Sequence, residues 1–282
     1  MAVIIGSDGN DNLVSPDAWA NDTIYGLGGN DRIEARGGDD LIIPGPGNNR
    51  IEGGDGRDTV VLPGTLEQYE FFRYENEGVI RGAEGVNTLL DVEAVRTDAS
   101  GTLDLSNVPE FLAYAYLATY DSLADAFGTD RDAAWDHFTT YGAADGLTIQ
   151  FDGMSYLAAN TDVLASPDYG ANVDEGAALH YLRHGRDEGR ELDFNGTLYV
   201  AGDPGLTEVF RGGDTDALGT LHYVQYGFDA GIPTDRFNAA SYAEQNPDLA
   251  AAGLVSDTQL AQHWIDYGSL EGRSGAYDSL IG

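Results

Sequence analysis

Residues 6–61 read GSDGNDNLV, SP, DAWANDTIY, GLGGNDRIE, ARGGDDLII, PGPGNNRIE and GGDGRDTVV, six nine-residue units interrupted once by Ser15-Pro16. Position six holds Asp11, Asp22, Asp31, Asp40, Asn49 and Asp58; position eight holds Leu13, Ile24, Ile33, Ile42, Ile51 and Val60. A flexible Gly/Asp linker has no reason to set a branched aliphatic at every ninth residue. The period predicts a Gly-rich turn followed by a very short strand in each unit. Two units then make one turn of a right-handed parallel β-roll, with the aliphatics as a thin inner ladder.

The chemistry follows from that winding. Glycines at positions two to four permit positive φ and turn carbonyl oxygens toward a common point. The position-six carboxylate adds a hard oxygen there, and Ca²⁺ takes about six to eight such ligands. Units two apart stack, so Asp22, Asp40 and Asp58 form one column, and Asp11, Asp31 and Asn49 the other, with Asn49 a neutral ligand. Three loops per side leave two gaps per side, an expectation of about four ion sites. Without calcium the stacked carboxylates repel and the slim core cannot compensate, so metal binding is expected to be folding.

The repeat resembles the calcium-binding nonapeptide of RTX proteins. Residues 53–61 match every constrained position and 26–34 all but one. The resemblance implies calcium ligation by Asp11, Asp22, Asp31, Asp40 and Asp58, with Asn49 a departure from the pattern. It also implies export without an N-terminal signal through a one-step channel, and folding on meeting extracellular calcium.

The 282 residues carry 14 Arg and Lys against 48 Asp and Glu, a net charge of −34, and all the basic residues are Arg. Such a chain repels nucleic acid and anionic membranes and attracts divalent cations. There is no cysteine. No stretch approaches the roughly eighteen apolar residues of a membrane span. MAVII runs into the first repeat with neither basic nor apolar signal region, which fits leaderless export. The same pentapeptide leaves the first turn either frayed or a docking edge.

Residues 63–105 read as further short strands, and VNTLLDVEAVRTD (residues 86–98) resembles the strand that closes RTX rolls; it is expected to cover the C-terminal edge. From about residue 106 a second repeat appears, with a period of 41 to 43 residues. Its anchor pairs are His137-Phe138, His180-Tyr181, His222-Tyr223 and His263-Trp264, each followed by glycines five and nine residues after the His. Upstream stand Phe111, Phe151, Phe194 and Phe237, each five residues before Tyr116, Tyr156, Tyr199 and Tyr242. Asp152, Asn195 and Asn238 are good N-caps, and Phe at N′ over Tyr at N4 is a hydrophobic staple. Each copy is read as a helical hairpin that ends at a glycine, and four copies are expected to stack.

One anchor His per copy, with no second ligand nearby, favours a structural ring over a metal ligand or a general base. His184, in the slot of Tyr141, Tyr226 and Tyr267, is read as packing. The Glu-Gly-Arg endings at Glu188–Arg190 and Glu271–Arg273 are read as exposed turns with local ion pairs. The copies resemble tandem modules of large secreted bacterial surface proteins, and the ending Tyr-Asp-Ser-Leu-Ile-Gly resembles a one-step export signal.

The reading is therefore α+β and multidomain: a calcium-binding parallel β-roll over residues 1–62, a β cap over 63–105, and four helical-hairpin repeats over 106–282. No zinc, nucleophile-elbow or phosphate-loop motif occurs, and no enzyme is expected. The expected role is a secreted, calcium-dependent structural protein of the bacterial surface or matrix that self-assembles. The rivals are an adhesin binding a surface glycan or another surface protein and, behind it, an accessory part of a secreted hydrolase.

Overall fold

A computed structural model describes residues 1–99, 101–166 and 172–277. The proposed export tail lies, beyond Tyr277, outside the described residues. The chain divides into two compact units, Met1–Tyr116 with Asp130–Ile149, and Leu117–Thr129 with Gln150 onward. The first helical copy is thus shared, most of it in the unit that holds the β structure rather than parted from it near residue 105.

Every nonapeptide delivers one short strand: β1 (Val3–Ile5) precedes the first, then β2 (Asn12–Val14), β3 (Thr23–Tyr25), β4 (Arg32–Glu34), β5 (Leu41–Ile43), β6 (Arg50–Glu52) and β7 (Thr59–Leu62). Odd and even strands form separate parallel stacks, with Ile24 opposite Ile42 and Ile33 opposite Ile51, eighteen residues apart. Ser15-Pro16 lengthens the first turn, so Leu13 pairs Ile33 across twenty residues without loss of register. Position eight points inward: Ile24, Ile33, Ile42, Ile51 and Val60 are fully buried. The turns need glycine where φ is positive and the neighbouring turn is close. Gly47 and Gly56 have φ of 135° and 133°, and a Cβ on either would strike the Gly29 or Gly38 carbonyl.

The cap extends both stacks. Strands β8 (Glu70–Tyr74), β9 (Glu77–Gly82) and β10 (Gly85–Leu90) add to the even stack, and β11 (Ala94–Thr97) and β12 (Gly101–Asp104) to the odd one. β10 pairs parallel with β6 and β11 parallel with β7, so the roll's last turn is covered by strands in its own register. At the other end β1 and β2 are edges, and Val3 and Ile5 are exposed. In the same unit the cap packs on helical residues: Phe72 lies edge-on to Phe138, and the Tyr74 hydroxyl donates to Asp132 at 2.8 Å.

The helical segments carry a recurring bond. Tyr116, Tyr156, Tyr199 and Tyr242 place their hydroxyls 2.8–2.9 Å from Nδ1 of His137, His180, His222 and His263. Burial pushes the Tyr156, Tyr199 and Tyr242 phenols up to about 12, so each keeps its proton and donates it. Burial also lowers His180 and His263, which leaves neutral rings to accept. Each anchor histidine is thus bonded to the tyrosine of its own copy. His184 packs on His180 at 5.5 Å between centroids, as Tyr226 packs on His222 at 5.8 Å.

Two features differ from a simple hairpin. A short middle helix intervenes, as at Thr161–Leu164 between Gly153–Ala159 and Val173–His180. The second long helix then widens into a π turn of five residues, Tyr181–Gly185 and its counterparts, and does not stop at that glycine. Gly142, Gly185, Gly227 and Gly268 stay inside the helix because the tyrosine hydroxyl sits where their Cβ would be. The next glycines, Gly146, Gly189, Gly231 and Gly272, end the helix with φ of 65° to 72°. There Arg190 N–H reaches back to the Gly185 carbonyl, the bond of a left-handed helix stop.

Local signals hold in the structure. Asp152, Asn195 and Asn238 accept from Ser155, Leu198 and Ser241 N–H, and Ser256 with Gln259 forms a capping box. Phe151 meets Tyr156 at 5.7 Å, and Phe237 meets Tyr242 at the same distance. Arg190 pairs with Glu188 and grips Asp162 through two nitrogens, and Arg273 pairs with Glu271 and Asp248.

The tyrosine–glycine contact yields a coupled prediction. Gly268→Ala is expected to cost about 1–3 kcal/mol by overpacking against the Tyr242 hydroxyl, and Tyr242→Phe about 0.5–1.5 kcal/mol for the lost hydrogen bond. Removing the hydroxyl also removes the clash, so the double variant should cost clearly less than the sum in denaturant unfolding. Strict additivity would show that the hydroxyl does not exclude the side chain.

Candidate metal centre

Each position-six residue precedes its strand directly, so parallel stacking brings these side chains together by columns. Within a column they are tied to the next turn. Asp22 N–H donates to Asp40 Oδ1 at 2.6 Å and Asp40 N–H to Asp58 Oδ1 at 2.9 Å. In the other column Asp11 N–H donates to Asp31 Oδ1 and Asp31 N–H to Asn49 Oδ1, both at 2.9 Å. The ladder occupies Oδ1 and aims the second oxygen into the gap between turns.

What that second oxygen meets separates the six residues. Oδ2 of Asp31, Asp40 and Asp58 is buried without any hydrogen-bond partner. A bare carboxylate oxygen out of water is costly unless a positive charge compensates it. Asp11 Oδ2 instead accepts from Ser7 N–H and hydroxyl, and Asp22 Oδ2 from the Ser15 hydroxyl, a group that the two-residue insertion supplies. Asn49 turns its amide nitrogen into the next gap, where it donates to Asn87 Oδ1 at 2.8 Å and to the Gly45 carbonyl at 3.3 Å. An N–H donor in that position does the work a cation would do, and it offers no second oxygen to a metal. Among the described residues the position-six oxygens left bare are those of Asp31, Asp40 and Asp58.

Backbone carbonyl oxygens converge beside two of those oxygens, the ligand type a small hard cation takes. A Cβ on Gly26 would run into the Pro44 carbonyl and stand 2.6 Å from Asp31 Oδ2. Gly53 repeats this with the Asp91 carbonyl and, at 2.6 Å, Asp58 Oδ2. Among the described residues no group of three or more His, Cys, Asp or Glu side chains could hold a metal by itself. Backbone carbonyls must complete the coordination, which is oxygen chemistry of the calcium kind.

Position five was not singled out from the sequence, yet it forms a second ladder running the opposite way. Asn30 and Asn48 N–H donate to Asn10 and Asn30 Oδ1, and Asp39 and Arg57 N–H to Asn21 and Asp39 Oδ1, at 2.8–2.9 Å. The signal was present as asparagine at four of six position-five sites.

Residues 18–51 and 43–61 match the family model of the RTX calcium-binding nonapeptide repeat, in four copies. The N-terminal region is an RTX repeat region. RTX repeats bind calcium ions, and calcium is the ligand of this region. Repeats of this kind are typical of proteins exported by type I secretion. No curated protein matches the chain. Among solved structures, the extracellular lipase LipA from Serratia marcescens is similar at 29% identity over 34% of this chain, with a TM-score of 0.19. The chain covers 14% of that protein. No helix among the described residues is long and apolar enough to cross a membrane.

Electrostatics separates the two ends of the odd column. The Ser15 and Ala2 hydrogen bonds hold Asp22 below the ordinary carboxylate value, whereas burial raises Asp40. Burial, then the charges of Asp40, Glu93 and Asp39, push Asp58 from 3.8 to about 7. A raised folded value means that the calcium-free roll binds a proton more tightly than the unfolded chain does. The calcium-free fold is therefore favoured at low pH and loses that stability as pH rises from about 4 through about 7. Calcium competes for the same oxygen. Its apparent affinity is expected to fall as pH is lowered through 7, with proton release on binding near pH 6, measurable by calorimetry in buffers of different ionisation heat. A pH-independent affinity between 5 and 8 would show that no buried carboxylate changes protonation.

Proposed function

We propose that the protein is a secreted, calcium-folded structural module of the bacterial cell surface or extracellular matrix, and that it self-assembles into a lattice or filament. The observation that carries this reading is that the first turn of the roll forms a sheet edge among the described residues, on a roll whose buried carboxylates call for a cation. β1 and β2 are sheet edges with exposed Val3 and Ile5, and an unpaired edge accepts another strand. Calcium within the roll would rigidify that edge and screen part of the −34 charge that keeps copies apart.

In this reading the chain from residue 106 onward is four copies of one helical unit presenting a repetitive side surface. The role is structural rather than enzymatic: the roll carboxylates serve the ladders and calcium, and the anchor histidines are bonded by tyrosines. Asp31, Asp40 and Asp58 are the ligands that this proposal rests on, with Asp11 and Asp22 at the outer turns held by serines.

A second reading, adhesion to a surface glycan or another surface protein, draws on Tyr226 and Tyr267. Both are exposed while their inner faces pack on His222 and His263, the disposition of a sugar-stacking aromatic.

The test is a titration from chelator to about 10 mM calcium, past the extracellular-module range, with circular dichroism and light scattering on the same samples. Joint growth of β signal and ordered particles is the expected result. Folding without particles would overturn self-assembly and leave adhesion, to be probed by glycan binding of the monomer.

A further inference from the structure

The two columns reach the cap in different ways, and the difference assigns a role to a residue outside the repeats. β11 pairs Ala94 with Thr59, as β7 pairs Thr59 with Leu41. Glu93 therefore stands in register with Asp58 and Asp40, one turn further along. It also continues the ladder: Asp58 N–H donates to Glu93 Oε2 at 2.7 Å, as Asp40 N–H donates to Asp58 Oδ1. The six-residue turn of a repeat is shortened here to Asp91-Val92-Glu93, with Asp91 in the left-handed region at φ 48°. What survives the shortening is one carbonyl and one carboxylate placed as in a repeat. The Asp91 carbonyl faces Gly53 as the Pro44 carbonyl faces Gly26, and the Glu93 carboxylate takes the position-six place.

Asp58 Oδ2 lies beside Gly53 together with the Asp91 carbonyl, and the Glu93 carboxylate bonds the backbone N–H of the same Asp58. Asp58 is 0% exposed, and this oxygen has no partner. The other column offers an internal comparison. β10 pairs Thr88 with Arg50, which sets Asn87 in register with Asn49, and there the amide of Asn49 bridges directly to Asn87 Oδ1. On that side the amide of Asn49 leaves no bare oxygen; on the other the Asp91 carbonyl accepts from Gly54 N–H and Glu93 Oε2 from Asp58 N–H, and Asp58 Oδ2 alone is left unmet beside them.

We propose that Asp58 Oδ2, the Asp91 carbonyl and the Glu93 carboxylate form a calcium site between the last repeat and the cap, so that the cap is locked onto the roll by an ion and not only by strand pairing. The site rests on the calcium reading of the roll. It lies beyond the nonapeptides, since two of its three groups come from residues 91 and 93, outside the matched repeats. Calcium here ties the docking of β11 on β7 to calcium concentration, whereas the docking of β10 on β6 is independent of it.

The experiment is calcium counting by native mass spectrometry and calorimetry on the full chain, wild type beside Glu93→Gln. Glutamine keeps an oxygen for the Asp58 N–H and removes the charge. The expected result is one ion fewer, or one site weakened by about tenfold through loss of a charged ligand. An unchanged count and affinity in Glu93→Gln, with several ions bound by wild type, would overturn this site and leave the roll reading intact. No binding by wild type would overturn the roll reading itself. Should Glu93→Gln fail to fold, amide exchange of wild type decides: calcium should protect residues 93–97 together with the repeats. Protection confined to residues 26–61 would sink the proposal.

Discussion

Three carboxylate oxygens, on Asp31, Asp40 and Asp58, are held inside the protein with nothing to receive them. The nonapeptide geometry leads to this, because the turn that buries each aspartate spends its other oxygen on the backbone N–H of the preceding turn. The inner core behind them is two short files, Ile24, Ile42 and Val60 on one stack and Ile33 and Ile51 on the other, with the cap residues packed on them. A ladder of that width cannot offset unpaired buried charge, and so the charge must be met from outside by a cation. Register, turn shape and cap position all follow from this arrangement.

The gaps are not equivalent, and small chemical changes make them so. A serine hydroxyl satisfies Asp22, Ser7 satisfies Asp11, and in Asn49 an amide nitrogen replaces the oxygen and reaches across to Asn87. Each device lies at an end of a column, at the first turn or at the cap. Toward the middle the carboxylates are left bare, where strands on both sides hold the gap to a fixed width. The roll is thus sealed by hydrogen bonds at three of its four column ends and reserves its unmet charge for the interior and for the junction at Asp58.

The helical segments solve a different problem, how to repeat a small apolar core without a sheet. The solution is a buried tyrosine whose ring packs under phenylalanine and whose hydroxyl is fixed by histidine Nδ1, with a glycine opposite it because nothing larger fits. The π turn lies where the helix passes the tyrosine, and in two copies a short α-helical turn follows the glycine. His263, lowered by burial and bonded by the Tyr242 hydroxyl, serves packing in this way.

The roll was legible in the sequence because its period is local: one residue type per position, repeated every nine, decides which side chains face in and which carboxylates share a column. The helix caps were legible for the same reason, since Asp152 reaches only three residues to Ser155. The helical glycines were half legible. Two per copy stood out, but only the packing shows that Gly185 yields space to a tyrosine hydroxyl while Gly189 ends the helix. Glu93 was hidden, because its partner Asp58 lies thirty-five residues away and no repeat marks it. By itself the sequence determined the calcium chemistry and the winding, which depend on spacing along the chain. Tertiary structure alone decided which oxygens are left bare, because a hydrogen bond from Ser15, a flipped role for Asn49 and the register of the cap each depend on contacts made across turns.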